Sequence, residues 1–455
     1  MAAQGVALRF RRLLGPLALA CVLPAAVGTA HADAFSTLHR FTGDASGNGP
    51  IGPLILATDG NLYGTATGSS GNQTFGTIFG VTPAGVLTTL YTFNGAANGQ
   101  NPALSVQARD GYLYGLTTSG GSPSVSGQAA GTVFKATTDG VLTSLYTFSG
   151  AADGGEPVIL IQGTDRNLYG MTRTGGIATA CGGAGCGTVF KITTSGSLTT
   201  LYSFSGGADG APGISAAALV QGSDGNLYGT TSGGGTSGSC GGLSALGLEN
   251  SGCGTIFKLT SSGALTTLHT FSGSADGSAP SALLQGGDGN LYGSTLLGGA
   301  SGVGTIFRIT TAGMLTTLYT FSGGSDSGAP DGLLQGSDGN FYGTTYGFIA
   351  AAVSGGNTAS DTLFEVTPTG ILTTLHTFSG SDGVGPSGMA QGSDGSLYGI
   401  ASAGTSSTAP RYGSIFREAL STGTSSGGSG VVSFPTIFIL VLGLVLRQRR
   451  RPAPR

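Results

Sequence analysis

Residues 217–231 read AALVQGSDGNLYGTT, and residues 254–273 read GTIFKLTSSGALTTLHTFSG. Together they contain four short runs rich in β-branched and aromatic residues, a composition typical of β-strands. Ser-Asp-Gly-Asn separates the first two runs and Thr-Ser-Ser-Gly separates the last two, and both tetrapeptides are typical of tight turns. The pattern predicts a four-stranded antiparallel unit with a long Gly-rich loop between its second and third strands.

This unit is repeated in tandem. The tripeptide L/F-Y-G occurs seven times, 50 to 64 residues apart, and each copy follows an Asp-Gly pair. A second motif, G/D-T/S-I/V/L-F, follows each copy. The Tyr of the first motif stands at positions 63, 114, 169, 228, 292, 342 and 398, and the Phe of the second at 79, 134, 190, 257, 307, 364 and 416. A four-stranded unit repeated at this period is typical of a β-propeller blade.

The repeat is out of phase with the ends of the chain. A fourth-strand sequence stands alone at residues 36–41, before any first strand, and the last unit ends after its third strand at residues 415–417. We expect the N-terminal strand to complete the last blade, because this pairing removes two exposed sheet edges. The predicted fold class is therefore all-β: a seven-bladed β-propeller of four-stranded blades closed by its N-terminal strand, followed by a C-terminal membrane-anchor or sorting helix.

The repeat unit resembles the GloVer (Gloeo_Verruco) repeat of bacterial choice-of-anchor tandem-repeat proteins. The resemblance rests on the stretches quoted above, extends over residues 36–418 and recurs in all seven units. It implies an exported, surface-associated repeat protein whose C-terminal anchor differs from member to member. It implies no reaction and no catalytic residues.

Both ends of the chain are predicted to be targeting segments. The first has an Arg-rich start, an apolar stretch and an Ala-x-Ala site, which together indicate a signal peptide; Cys21 inside it leaves lipidation as an alternative. The last is uncharged and then Arg-rich, which indicates either a single-span anchor with a cytoplasmic end or a cleavable tail resembling the GlyGly-CTERM class. The predicted segments are 1–32 (signal peptide), 33–420 (propeller), 421–430 (Gly/Ser spacer), 431–446 (transmembrane or sorting helix) and 447–455 (basic cytoplasmic tail).

Four cysteines remain beyond the signal peptide. Cys181 and Cys186 share the loop between the second and third strands of blade three, and Cys240 and Cys253 share the same loop of blade four. Outside the cytoplasm this arrangement predicts two local disulfides. A zinc site is the alternative, although neither pair has C-x-x-C spacing and no His lies nearby.

Other polar residues recur at fixed repeat positions. His39, His269 and His376 take the place that Tyr holds in other fourth strands, so we expect them to be packing residues. Each Asp-containing turn offers one carboxylate, which favours turn formation over calcium binding. Six glutamines are predicted to ring the central channel, where they bind a small polar ligand such as a sugar or hydrogen-bond neighbouring blades. They are Gln107, Gln162, Gln221, Gln285, Gln335 and Gln391.

The charge distribution argues against nucleic-acid binding. The chain between Asp33 and Glu418 carries 21 acidic and 10 basic residues, a net charge of −11, and such a surface repels phosphate backbones. No cofactor, metal or catalytic residue is predicted. The expected partners are a membrane, through the C-terminal helix, and an extracellular ligand that is a glycan or a protein. The expected localisation is extracytoplasmic, at the cell surface or in the periplasm.

Two functions remain open. The first is a non-enzymatic binding, adhesion or envelope-structural module whose Cys-containing loops form the contact surface. The alternative is an extracellular hydrolase or lyase acting on carbohydrate or another polymer, which requires two convergent carboxylates. The acidic residues outside the repeat pattern are Glu156, Glu249, Asp331 and Asp361.

Overall fold

The computed structural model describes residues 34–420, apart from 45, 69–74, 96–97, 122–129, 214–217, 236–239, 241–251, 355–359 and 403–411. The predicted signal peptide, spacer, apolar C-terminal helix and basic tail lie outside the described residues and stay predictions. Within the described part of the chain, no helix has the length and apolar character needed to cross a bilayer.

The described chain is almost entirely β-structure, and its strands follow the repeat. The first strand is β1 (Phe35–Arg40). Blade one contains β2 (Pro50–Leu56), β3 (Leu62–Ala66), β4 (Thr77–Val81) and β5 (Leu87–Thr92). Blade two contains β6 (Gln100–Gln107), β7 (Leu113–Ser119), β8 (Thr132–Ala136) and β9 (Leu142–Thr147). Blade three contains β10 (Gly155–Gln162), β11 (Leu168–Thr174), β12 (Thr188–Ile192) and β13 (Leu198–Ser203).

The remaining blades repeat this arrangement. Blade four contains β14 (Leu219–Gln221), β15 (Leu227–Thr231), β16 (Thr255–Leu259) and β17 (Leu265–Thr270). Blade five contains β18 (Ser278–Gln285), β19 (Leu291–Leu297), β20 (Thr305–Ile309) and β21 (Leu315–Thr320). Blade six contains β22 (Pro330–Gln335), β23 (Phe341–Thr345), β24 (Thr362–Val366) and β25 (Leu372–Thr377). Blade seven contains β26 (Val384–Gln391), β27 (Leu397–Ser402) and β28 (Ser414–Glu418), which β1 completes.

Two short helical segments interrupt the strands. A 3-10 turn (Cys181–Gly183) lies in the second loop of blade three, and α1 (Gly347–Ser354) occupies the second loop of blade six. The sequence pattern does not indicate α1, because the segment lies inside a loop of variable length and its eight residues are too few for a reliable helical period.

The predicted seven four-stranded blades and their closure are confirmed. The described strands form seven separate four-stranded sheets, and six of them use four consecutive strands. The seventh has the order β1-β28-β27-β26. In it β1 pairs antiparallel with β28, placing Phe35 opposite Glu418 and Thr37 opposite Phe416. The first strands of successive blades contact one another around the ring, including β26 with β2.

The ring has two different rims. Every strand pair is antiparallel, so the tight turns after the first and third strands lie on one rim, which we call the turn rim. The loops after the second strands and the connectors after the fourth strands lie on the other, which we call the loop rim.

Apolar cores lie between neighbouring blades. Ile78 and Phe93 of blade one pack with Phe134 of blade two, and on the other side of blade one Phe79 packs with Tyr398 of blade seven. Both faces of a blade are therefore covered, which leaves little place for charged side chains in the strands. This packing explains why only 9% of the residues are charged.

The two sequence motifs of each unit fit into one another. The Gly of L/F-Y-G leaves room for the ring of the Phe in the neighbouring third strand, and a Cβ atom at Gly64 would lie 2.6 Å from Cζ of Phe79. The Tyr of the same motif donates its hydroxyl to the turn Asp, as Tyr228 does to Asp224 at 2.8 Å. The other carboxylate oxygen of Asp224 accepts a hydrogen bond from the backbone amide of Asn226 at 3.1 Å. These Asp residues therefore stabilise the turns, as predicted.

Candidate functional site: the loop rim and the blade junctions

Both predicted disulfides are present on the loop rim. Cys181 bonds to Cys186 in blade three and Cys240 to Cys253 in blade four, each with a Cα–Cα distance of 5.3 Å. The sulfur atoms are paired with each other, so these four residues do not form the alternative zinc site. Among the described residues, no group of three or more His, Cys, Asp or Glu side chains is placed to hold a metal ion.

Each disulfide is fixed against the connector to the next blade. A Cβ atom at Gly206 would lie 2.6 Å from Sγ of Cys186, and one at Gly273 would lie 3.2 Å from Sγ of Cys253. Cys186 and Cys253 are both 1% exposed. Residues 177–179 and 181–184 of the blade-three loop are nevertheless exposed. The loop therefore exposes these residues to solvent while the buried Cys186 fixes it to the propeller.

Glu156 of blade three has an ionic partner on the same rim. Its carboxylate lies 3.2 Å from Nη1 of Arg173, and Nε of Arg173 donates to the carbonyl of Gly213 at 3.2 Å. The arginine thus joins the first strand of blade three to the start of blade four. Arg173 lies at the end of a second strand, where no recurring motif marked it in the sequence.

Asp361 of blade six takes a position that is Gly in the other blades. Its Oδ1 accepts the amide of Gly347 at 2.6 Å, at the start of α1, and its Oδ2 accepts the amide of Gly385 in blade seven at 2.7 Å. The side chain is buried, and burial raises its pKa even though the two amides favour the charged form. Asp361 therefore caps α1 and ties blade six to blade seven.

Asp331 lies near Asp361 through a shared neighbour, Tyr346. The Tyr346 hydroxyl donates to Oδ2 of Asp331 at 3.0 Å, and its pKa is raised by its burial and by the nearby charges of Asp331 and Asp361. Burial raises the pKa of Asp331 as well. Asp331 is partly accessible to solvent at the start of the first strand of blade six.

The four acidic residues of the enzyme hypothesis are therefore distributed unevenly. Asp331 and Asp361 come together around Tyr346 in blade six, whereas Glu156 pairs with Arg173 in blade three. Glu249 lies outside the described residues. Each of the three described carboxylates has a hydrogen-bond or ionic partner within the protein.

The six glutamines hydrogen-bond neighbouring blades. The side-chain amide oxygen of each glutamine accepts a hydrogen bond from a backbone N–H in the turn of the preceding blade, as Gln221 Oε1 does from Thr164 at 2.7 Å. The amide nitrogen donates within its own turn, as Gln221 Nε2 does to Gly225 at 3.0 Å. The same pair of bonds is formed by Gln107, Gln162, Gln285, Gln335 and Gln391. This geometry corresponds to the blade-bonding interpretation, and ligand binding by these amides stays a prediction.

The junction between blades seven and one lacks this pair of bonds. Leu56 stands where the other blades have Gln, and a cavity of about 140 Å³ lies there, lined by Leu56 and Ser393 among others. A second cavity, of about 340 Å³, lies at the loop-rim end of the same junction and is lined by Pro50 and Tyr412 among others. The two cavities thus lie at opposite ends of the junction between blades seven and one.

The histidines occupy the Tyr position, as expected. His269 Nε2 lies 3.1 Å from Oδ2 of Asp276, and the equivalent Tyr202 hydroxyl donates to Asp209 at 3.0 Å. Both side chains thus reach the Asp of the connector that follows their strand.

Glu418 is a buried carboxylate that the sequence analysis did not single out. It is 1% exposed, Oε2 has no hydrogen-bond partner among the described residues, and burial raises its pKa to about 7. The equivalent residue of every other blade is apolar: Val81, Ala136, Ile192, Leu259, Ile309 and Val366. Comparison of the aligned third strands would have revealed the exception.

The comparisons with known proteins agree with this architecture. A model of the Gloeobacter/Verrucomicrobia repeat matches residues 28–180, 125–246 and 237–434, which together cover most of the chain. A comparison with curated proteins gives no match.

Solved structures are similar at low sequence identity. The extracellular domain of a protein described as a hybrid two-component system from B. thetaiotaomicron is 10% identical over 85% of this chain, with a TM-score of 0.52, and the chain spans 41% of that structure. A gluconolactonase from Xanthomonas campestris is 13% identical, with 82% of this chain and 98% of the other covered and a TM-score of 0.42. At 10% identity the first similarity concerns the fold alone.

Proposed function

Because this chain belongs to the Gloeobacter/Verrucomicrobia repeat family, we propose that it is an exported repeat protein whose loop rim binds an extracellular glycan or protein without chemically changing it. The observation that carries the proposal is the exposed blade-three loop held by Cys181–Cys186 on the connector of the next blade. A loop ordered before binding loses less conformational entropy when a ligand arrives.

Aromatic side chains add to this surface. Phe348 on α1 is 65% exposed and Phe75 in the second loop of blade one is 39% exposed, both on the loop rim. Exposed aromatic rings are a favourable surface for the apolar faces of sugars and for protein side chains. The proposed ligand surface therefore combines the disulfide-bonded loops with these aromatic rings.

The described carboxylates support binding over hydrolysis. Glycoside hydrolysis requires an acid and a second carboxylate that face a shared substrate. Asp361 uses both oxygens on backbone amides, and Glu156 is paired with Arg173. Asp361 therefore has no oxygen left for a substrate, and Glu156 is held through one oxygen by Arg173.

One observation favours the hydrolase or lyase as a second candidate. Asp331 is partly accessible, burial raises its pKa, and its carboxylate accepts hydrogen bonds from the Tyr346 hydroxyl and the Gly332 backbone amide. A carboxyl with a raised pKa can serve as a general acid near neutral pH.

For the two ends we propose export and tethering. Two disulfides support an extracytoplasmic location. Residues 1–32 would be removed, and residues 431–446 would hold the protein at the membrane with residues 447–455 in the cytoplasm. The intact mass of protein from native membranes tests this: a species from near Asp33 that retains residue 455 indicates a plain anchor, and one that ends within 421–430 indicates a cleaved tail. A species that retains residues 1–32 would contradict export.

One experiment on purified bacterial surface polysaccharides distinguishes a binding protein from an enzyme that cleaves them. We expect the protein to bind at least one of them without releasing reducing ends or unsaturated sugars. The Phe348→Ala variant should bind at least fivefold more weakly, whereas Ser197→Ala, on an exposed turn of the opposite rim, should bind normally. Release of sugar that is abolished by Asp331→Asn would establish the enzyme instead, and full binding by Phe348→Ala would remove this aromatic from the ligand surface.

A further inference from the structure

An arc of exposed apolar side chains lies on the turn rim. Val86, Val141, Met314 and Ile371 are 63%, 63%, 74% and 67% exposed, and all four occupy the same repeat position, immediately before a fourth strand. The other large apolar side chains that are exposed in the described part of the chain, Phe75, Ile177 and Phe348, lie on loops of the opposite rim at unrelated positions. We call the four the apolar arc.

The turns do not need these side chains. The turn is closed by backbone and Thr hydroxyl bonds, as in blade five, where the Thr310 amide donates to the Met314 carbonyl at 3.0 Å and the Met314 amide donates to the Thr310 hydroxyl at 3.1 Å. Blade three forms the same bonds with Ser197 at this position. A polar or small residue therefore satisfies the turn, and exposure of large apolar groups in water has no folding benefit.

The arc is centred on the point at which the chain leaves the propeller. Its members lie on blades five, six, one and two, and blade seven stands between blades six and one. The equivalent residue of blade seven is Ala34, whose carbonyl accepts the amide of Ala419 at 2.8 Å. Leu420, the last described residue, still packs against the same apolar cluster as Phe35. Blades three and four, on the far side of the ring, carry Ser197 and Ala264 there.

We propose that the apolar arc inserts into the interfacial region of the membrane to which the C-terminal segment tethers the protein. This inference rests on the proposed tether at residues 431–446. The spacer of residues 421–430 reaches at most roughly 36 Å when fully extended, so the rim from which it leaves is held close to the bilayer. Transfer of exposed Val, Ile and Met side chains from water into the boundary between headgroups and acyl chains is favourable, because it buries apolar surface.

On the arc side of the ring, blade seven has an ion pair between the turn carboxylate of Asp394 and Arg417, at 2.9 Å. Pairing lowers the repulsion between this carboxylate and an anionic lipid surface. The pairs of Asp165 with Lys191 and of Asp224 with Lys258 lie in blades three and four, on the far side. The orientation also leaves the loop rim, with its disulfides, facing away from the membrane.

Tryptophan fluorescence tests the proposal directly, because the chain contains no Trp. Single-Trp variants of the full chain are reconstituted into vesicles of phosphatidylethanolamine and phosphatidylglycerol with brominated acyl chains. We expect Met314→Trp and Val86→Trp to lose at least half of their emission. Phe348→Trp, on the loop rim, and Ser197→Trp, at the same repeat position on the far side of the ring, should lose little.

The outcomes separate the arc from the tether. Failure of the full chain to float with the vesicles would overturn the tether and with it this proposal. If the protein floats with the vesicles but Met314→Trp and Phe348→Trp lose the same fraction of their emission, the tether stays in place and docking of the arc is overturned. Equal quenching of Met314→Trp and Ser197→Trp would overturn the arc as the contact. Protection of Met314→Trp from a water-soluble quencher without quenching by brominated lipid would mean that protein, such as a second copy, covers the rim.

Discussion

The absence of a side chain at Gly64 allows neighbouring strands of blade one to pack closely. The ring of Phe79 occupies the space where a Cβ atom of residue 64 would lie, and Leu54 limits that space from the other side. The residue has no positive φ, so the requirement is for room and not for an unusual backbone. The same Gly–Phe contact recurs in all seven blades, which is why the two motifs always occur together.

We therefore expect Gly64→Ala to destabilise the protein by about 1–3 kcal/mol, because the added methyl group overlaps Phe79 in a packed interior. Gly287→Ala is the matched control, since a Cβ atom there meets nothing within 4 Å. Urea unfolding followed by circular dichroism measures both. Equal midpoints for the two variants would contradict the packing argument.

Glu418 predicts a dependence of stability on pH. Its pKa of about 7 in the folded protein exceeds its ordinary value of 4.5. Between these pH values the folded state keeps a proton that the unfolded state has released, so stability falls as the pH rises through this window and stays low above it. The full loss is roughly 3 kcal/mol.

Glu418→Gln should remove this loss, because the amide stays neutral at every pH. The free energy of unfolding, measured with urea, should differ little between wild type and variant at about pH 5. At about pH 8 the variant should be more stable by roughly 2–3 kcal/mol. A constant difference between the two proteins across this range would show that folding does not raise the pKa of Glu418.

At the scale of elements, the glutamines of the first strands connect one blade to the next. Each joins the first strand of a blade to the turn of its predecessor through one hydrogen bond and forms a second within its own turn, and six of the seven junctions have this pair. The seventh has Leu56 and a cavity beside Ser393. The chain crosses this junction as it crosses the others, because β1, the fourth strand of blade seven, is followed by β2 of blade one.

Leu56→Gln is expected to stabilise the protein by about 1 kcal/mol, because the introduced amide can accept the amide proton of Ser393 and donate to its own turn. The reverse substitution, Gln221→Leu, should destabilise by about 1–3 kcal/mol, since it leaves the Thr164 amide without its partner. Urea midpoints compare the two. A loss of stability in Leu56→Gln would indicate that the junction needs an apolar residue.

At the scale of the whole molecule, β1 holds the ring closed. It pairs with β28 along its length, and Phe41, just beyond it, is 1% exposed and packs in the core between blades seven and one. Without β1, the third strand of blade seven would become an exposed edge.

A chain that starts at residue 42 should therefore lose about 5 kcal/mol or more of stability, because it lacks the β1–β28 strand pairing, the partly buried Phe35 and Leu38 of β1, and Phe41, whose full burial alone contributes about 1.5–3 kcal/mol. The control is a chain that starts at residue 34, which keeps β1. Urea unfolding and size-exclusion chromatography compare the two. Equal midpoints and equal monomeric elution would show that closure contributes little.

The sequence by itself determined the number of blades, the four strands of each, the closing role of the N-terminal strand and both disulfides. These follow from a short-range pattern repeated seven times, in which alternating strands and turn residues depend mainly on neighbours in the chain. Spacing was enough for Cys181–Cys186, because only four residues lie between the two cysteines within one loop.

Only the tertiary structure decided which side chains meet across the blades. The partners of Gln221 and Asp361 lie in neighbouring blades, 57 and 24 residues away in the chain, and no local pattern indicates them. Burial of Glu418 and exposure of Met314 likewise depend on which face of a blade its neighbour covers. Contacts of this kind arise from the ring as a whole, because closing it brings together positions that the repeat alone leaves apart.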